Sequence, residues 1–217
     1  MTASAAGAPP AMWLDVISGR RSIRRYIGGS LDREIVEQML HAAAWAPSAH
    51  NRQPWRFALV EEAGWKERLA VGMGQRLRQD RLADGDDPAA VARDVERSHA
   101  RITEAPLIVL VALCMDDMDR YPDDRRRRAE YLMGVQSTAM ATQNLLLAAH
   151  AMGFGASVLC APLFCGDTVA AALGLPVNWE PQGLVTIGQP ANNGKEPVRR
   201  ALSEIVWRPG RTALRPR

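Results

Sequence analysis

Between Gly19 and Tyr26, six consecutive positions hold four arginines and one serine hydroxyl: Arg20, Arg21, Ser22, Ile23, Arg24 and Arg25. Arginine offers a rigid fork of donors that matches phosphate oxygens, and serine adds a compact donor beside it. Ile23 and Tyr26 can anchor the backbone on a core, so the pattern predicts a pinned anion-binding loop and not a flexible basic tail. A solvated charged surface uses the same residues, and the rest of the chain must decide between the two. Two further donor-rich stretches lie far away in sequence. One is the loop Pro47-Ser48-Ala49-His50-Asn51-Arg52-Gln53-Pro54-Trp55, and the other is the pair Arg199-Arg200.

Other chemistries lack their residues. Cys114, Cys160 and Cys165 have no second cysteine pair or histidine pair beside them, and His41, His50, His99 and His150 are scattered. A structural zinc site wants four such ligands at tight spacing, so buried, inert thiols are expected and no metal. There is no Gly-x-Ser-x-Gly elbow, and Ser48 near His50 has no third group to complete a relay. Neither a Gly-x-Gly-x-x-Gly fingerprint after a strand nor a phosphate-binding Gly-Lys-Ser/Thr occurs; Gly194-Lys195-Glu196 is not one. Nucleic acid is not an expected partner, because the net charge is only +3 and aromatic residues for base stacking are few. No apolar run approaches the ~20 residues that span a bilayer, so no membrane role is expected. Without a secretory signal, the chain reads as cytoplasmic with reduced thiols.

The elements that must position these residues follow from periodicity. Met1 to Ala11 reads as a disordered cap, and 12–217 as one domain. Met12, Trp13, Val16 and Ile17 mark a short helix ending near Ser18-Gly19. Ser30 is the expected N-cap of a second helix, whose apolar face is Ile35, Val36, Met39, Leu40, Ala43 and Ala44. Arg56 to Val60 reads as a strand and Gly64 to Met73 as a helix. Gln75 to Glu96 reads as a charged surface excursion or mobile lid. Leu107 to Leu113 is an unbroken apolar run, hence a buried central strand, and Asp116 to Arg128 is read as irregular. Ala129 to Met152 is the longest helical pattern, about 36 Å at 1.5 Å per residue. It is apolar nearly all round, which points to the core or to an obligate dimer interface. Ala156 to Cys160 and Gly183 to Gly188 read as strands, Asp167 to Leu173 as a helix, and Ala201 to Trp207 as a last extended segment. Without regular βαβ alternation, the fold class is α+β with a small sheet.

The three donor-rich stretches, taken in order, resemble the FMN-dependent nitroreductase family. Its opening signature is matched by Arg20, Arg21, Ser22 and Arg24, its second by Pro47, Ser48, Asn51, Gln53, Pro54 and Trp55, and its third by Arg199 and Arg200. The resemblance implies a nitroreductase-like fold, with a small, mostly antiparallel sheet flanked by helices, and an obligate homodimer with two FMN sites at the interface, the long helix lying at its centre. It implies that Arg20, Ser22, Arg199 and Arg200 hold the FMN phosphate and ribityl oxygens, while Arg21 and Arg24 reach the ribityl and pyrimidine end. Pro47, Ser48, Ala49, Asn51 and Gln53 would also bind the cofactor, with Ser48 and Asn51 coming from the partner subunit. No catalytic side chain is implied, because the flavin carries the electrons. A nicotinamide or deazaflavin donor and an organic acceptor would then react in turn, by ping-pong kinetics. Many members carry a Pro-x-Glu-Gly turn after the short strand. Here the segment is Cys160-Ala161-Pro162-Leu163, so only backbone contacts are implied for Cys160 and Ala161.

Stretches such as Tyr121-Pro122-Asp123 and Trp179-Glu180-Pro181 look most like the reductase domain of the glutamate ligase that builds the deazaflavin coenzyme F-420. That likeness implies a dehydro-deazaflavin or another conjugated or nitroaromatic acceptor, and a polyanionic substrate that Arg125 to Arg128 could meet. The alternatives are a flavin-fragmenting enzyme of cobalamin lower-ligand synthesis and a non-catalytic flavin or deazaflavin carrier.

Overall fold

The computed structural model describes residues 10–207 and Pro209. Of the disordered cap expected for Met1 to Ala11, positions 1–9 lie outside the described residues. Its end departs from that expectation, because Pro10 opens the first helix, α1 (Pro10–Gly19). Proline suits that place because its fixed φ is preorganised for the first turn. After the arginine loop come a two-residue strand, β1 (Tyr26–Ile27), and α2 (Arg33–Ala44). The cap of α2 is Asp32 and not Ser30: its carboxylate accepts from the Glu34 backbone N–H at 2.8 Å. β2 (Trp55–Val60) leads into α3 (Ala63–Ala83) and α4 (Pro88–Thr103).

These two helices replace the excursion expected for Gln75 to Glu96. They pack as a hairpin whose tip is tied by Arg81 to Asp86 (2.5 Å) and Asp94, with Arg97 also on Asp94. Charge that reads as loop in one dimension is here paired across two helices.

β3 (Leu107–Leu113) is buried at all seven positions. It pairs antiparallel with β2 on one side and with β5 (Glu180–Pro190) on the other. Between them in the chain lie α5 (Asp124–Ala151), β4 (Gly155–Leu159) and α6 (Gly166–Leu173), the last closed by Gly174 at φ 63°. β4 lies along the far side of β5, and β1 pairs with its end. Every named pairing is antiparallel.

Alternation along β3 divides the core in two. Leu107, Val109 and Val111 face α2 and α5 (Val36, Met39, Leu145, Ala149), while Ile108 and Leu110 face α3 and α6 (Leu69, Met73, Val169). The expected small antiparallel sheet flanked by helices is thus the observed fold.

Two further boundaries differ from expectation. α5 begins at Asp124, inside the stretch read as irregular. Asp123 caps it by accepting from the Arg126 N–H at 2.9 Å, and side-chain pairs Arg126–Asp123 and Arg127–Asp124 balance its charge. That end is polar all round because it projects into solvent. Ala201 to Trp207 is not extended but holds one helical turn, α7 (Leu202–Ile205). With no strand beside it among the described residues, its backbone closes locally, Val206 N–H donating to the Leu202 carbonyl at 2.9 Å.

Candidate functional site

The arginine loop is pinned from both ends. Ile23 is buried, its N–H donates to the Ala156 carbonyl at 3.0 Å, and Ser22 forms a parallel bridge to Ala156 at the start of β4. Gly155 permits the approach, because a Cβ there would sit 2.7 Å from Ile23 Cβ. At the other end the Tyr26 hydroxyl bonds to Thr186 Oγ1 at 2.7 Å and reaches the Ile23 carbonyl at 2.7 Å. Burial, offset by the Thr186 bond and by Arg24, pushes the Tyr26 phenol up to about 12.

With its backbone fixed, the loop presents its side chains to an open cleft of about 780 Å³. Arg20, Arg21, Ser22, Arg24 and Arg199 line it, as expected for one anion site. Arg200 does not. Arg25, which belongs to the arginine run but not to the family signature, lines it too, as do Asn192, Asn193 and Lys195, which were not expected there. The Asn-Asn-Gly turn could have signalled them: Asn192 Oδ1 accepts from the Gly194 N–H at 2.9 Å, and Gly194 has φ 71°. The Arg21 guanidinium turns back onto the Ser18 carbonyl at 2.5 Å and the Arg20 carbonyl at 3.1 Å. Arg20, Arg24, Arg25, Lys195 and Arg199 enter no ion pair among the described residues. Nearby, burial first and then Arg20 and Arg21 hold the His150 imidazole below its usual range.

The second stretch is a strained loop. His50, Asn51 and Gln53 all have positive φ (51°, 55° and 49°), costing on the order of 1–3 kcal/mol each when the surroundings enforce it. Ser48 Oγ accepts from the Gln53 N–H at 3.0 Å, and Ser137 Oγ on α5 accepts from Ala49 N–H at 3.3 Å. Arg52 pairs with Asp119 at 2.8 Å, and the Asp119 N–H donates to the buried Glu130 carboxylate at 3.0 Å.

The structure does not bring this loop to the cleft within one chain: none of Pro47, Ser48, Ala49, Asn51 or Gln53 lines it. The loop rests on Ser137, whereas Gly19 rests against His150, and thirteen residues of α5 separate the two contacts by about 20 Å.

Cys160 and Ala161 stand at the far end of β4 from Ser22, about 13 Å along the strand. Cys160 is exposed, correcting the expectation of three buried thiols, because the chain turns outward there into a short 3-10 turn. Cys114 and Cys165 are buried, and burial raises the Cys165 thiol. Of the run Arg125 to Arg128, the Arg126 and Arg127 guanidiniums are engaged by Asp123 and Asp124. The run is an exposed helix start, the plainer of the two readings of these arginines, with two of its four charges paired.

Known proteins share both sequence and fold with this chain. It is 29% identical over 205 residues to an iodotyrosine deiodinase of Drosophila melanogaster, covering 88% of this chain and 68% of that protein. It is 27% identical over 214 residues to an NADH dehydrogenase of Thermus thermophilus, covering 87% and 92%. A Desulfovibrio desulfuricans crystal structure described as a nitroreductase in complex with FMN superposes with a TM-score of 0.70 at 28% identity, over 95% of this chain and 100% of that one. The model of the nitroreductase family matches residues 17–189, which include the arginine loop, the strained loop and all of the sheet but Pro190, and the chain belongs to that family.

Proposed function

We propose that this member of the nitroreductase family is an FMN-dependent oxidoreductase, working as a homodimer that takes electrons from a reduced carrier and passes them to an organic acceptor. The observation that carries the reading is the division of the donors. Open guanidiniums and Ser22 gather at one end of β4, a turn with exposed Cys160 and Ala161 stands at the other, and the strained loop is left about 20 Å away along α5. A phosphate-tailed planar cofactor fits the first two sets, and a second copy of the chain would supply the third.

In this reading Arg20, Ser22 and Arg199 hold the FMN phosphate. Arg21 and Arg24 serve the ribityl and pyrimidine end, with the backbone of Cys160 and Ala161 along the ring. Pro47, Ser48, Ala49, Asn51 and Gln53 approach from the partner, and Arg200 is left outside. Bound FMN would supply the hydride chemistry, so the chain's task is to bind, orient and exclude water. The acceptor is a conjugated or nitroaromatic compound, with a dehydro-deazaflavin of coenzyme F-420 biosynthesis as the specific candidate that the sequence suggests.

The absorption spectrum of the purified protein tests the cofactor. A flavin spectrum near one FMN per chain, bleached anaerobically by NADPH, NADH or a reduced deazaflavin, is the expected result. Protein that is colourless and cannot be reconstituted with FMN overturns it. Recovery of intact FMN after aerobic turnover separates this reading from flavin fragmentation.

A further inference from the structure

The cleft holds more positive charge than one flavin phosphate can use. Arg20, Arg21, Arg24, Arg25, Lys195 and Arg199 line it against a single carboxylate, Glu196. A phosphate monoester brings about −1.5 to −2 at pH 7, so about three positive charges stay unmatched once it is bound. Like charges crowded on one wall repel unless an anion lies among them. The effect reaches beyond the cleft, since Arg24, after burial, helps to hold the Arg101 guanidinium below its usual range.

Two of the six cations have no part in the flavin reading, and both come from segments whose geometry aims them at the cleft. Arg25 is fixed between pinned neighbours, its carbonyl accepting from the Ala191 N–H at 3.1 Å. Lys195 follows the left-handed Gly194, where a Cβ would lie 2.9 Å from Arg21 Cβ.

Resting on the proposed FMN site, we propose that Arg25 and Lys195 form a second anion subsite, which receives a multiply charged group on the electron carrier. Every nicotinamide carrier holds a pyrophosphate bridge, but only the 2′-phosphorylated form, NADPH, adds a phosphate monoester to it. A deazaflavin carrier offers a multiply charged group as its glutamyl tail. In either case the subsite selects the carrier by its charge, away from the reacting ring.

Calorimetric titration of the FMN-loaded protein tests this with adenosine 2′,5′-bisphosphate, adenosine 5′-monophosphate and a triglutamate peptide. Either the bisphosphate or the triglutamate should bind at least about tenfold tighter than the monophosphate, and which one does so names the carrier. The advantage should shrink with added salt. It should vanish in the Arg25→Gln/Lys195→Gln variant, while FMN content and thermal midpoint stay at parental values. Three equal affinities in the parent overturn the subsite, as does an advantage that survives in the double variant. A double variant that folds but sheds FMN also overturns it, by placing these residues in flavin binding. If the double variant fails to fold, Lys195→Gln alone must reduce the advantage or the subsite fails. A parent chain that never holds FMN defeats the proposed function instead, so the two failures are distinct.

Discussion

Tyr26 joins the arginine loop to the sheet through one hydroxyl, and its titration should be visible in stability. Burial lifts its phenol to about 12 from an ordinary 10, against the opposing pull of Thr186 and Arg24. Between those values the unfolded chain loses the proton while the folded chain keeps it, so stability is fully present below pH 10 and falls as pH rises toward 12. Tyr26→Phe should lower stability at pH 8 by about 1 kcal/mol, the usual worth of a lost hydrogen bond. By about pH 11 the gap between variant and parent should narrow, because only the parent has an ionising phenol there. Urea midpoints of both proteins at the two pH values check this, and a constant gap would show that the phenol does not carry the effect.

Among the elements, the loop after α2 stores the most backbone strain, and its braces come from side chains distant in sequence. Ser48 Oγ supplies the acceptor for Gln53 N–H, while Ser137 and the Arg52–Asp119 pair hold the flanks. Ser48→Ala removes the side-chain acceptor that spans the strained residues and leaves the backbone bonds of Asn51 and Arg52 in place. We expect about 1 kcal/mol lost from the denaturant midpoint, together with weaker FMN retention, read from flavin released on gel filtration. Full retention with lowered stability would assign Ser48 to the fold alone and remove it from the proposed site. The identity of this loop was legible from Pro47, Ser48, Asn51 and Gln53, since residue types are local. Its left-handed run was not, because asparagine tolerates positive φ but does not require it.

At the scale of the whole molecule, α5 has two unlike faces. Ser137, Ala141, Leu145 and Ala149 are buried against the sheet, whereas Leu132 and Met140 stay 45% and 39% exposed along another line of the helix. Trp45, at the end of α2, is 77% exposed. Apolar groups so placed fit the proposed subunit interface. Met140→Glu should therefore convert a dimer to a monomer in light scattering and release FMN with it, because the strained loop would be lost from the site. A monomeric parent that retains FMN would contradict the shared site.

The sequence by itself determined the residues of the anion loop, the buried run of β3 and the order of most elements, because hydrophobic period and residue chemistry are local properties. It also carried the family, through three short signatures spread from Arg20 to Arg200. The tertiary structure decided what depends on distance. It placed Arg25 and Lys195 in the cleft, turned Cys160 outward and left Arg200 aside. It built a helical hairpin where charge alone read as an excursion, because Arg81 on α3 pairs with Asp86 in the turn and with Asp94 on α4. It also separated Ser48 from Arg20 along α5, since a rigid helix holds apart two stretches that no rule of spacing could relate.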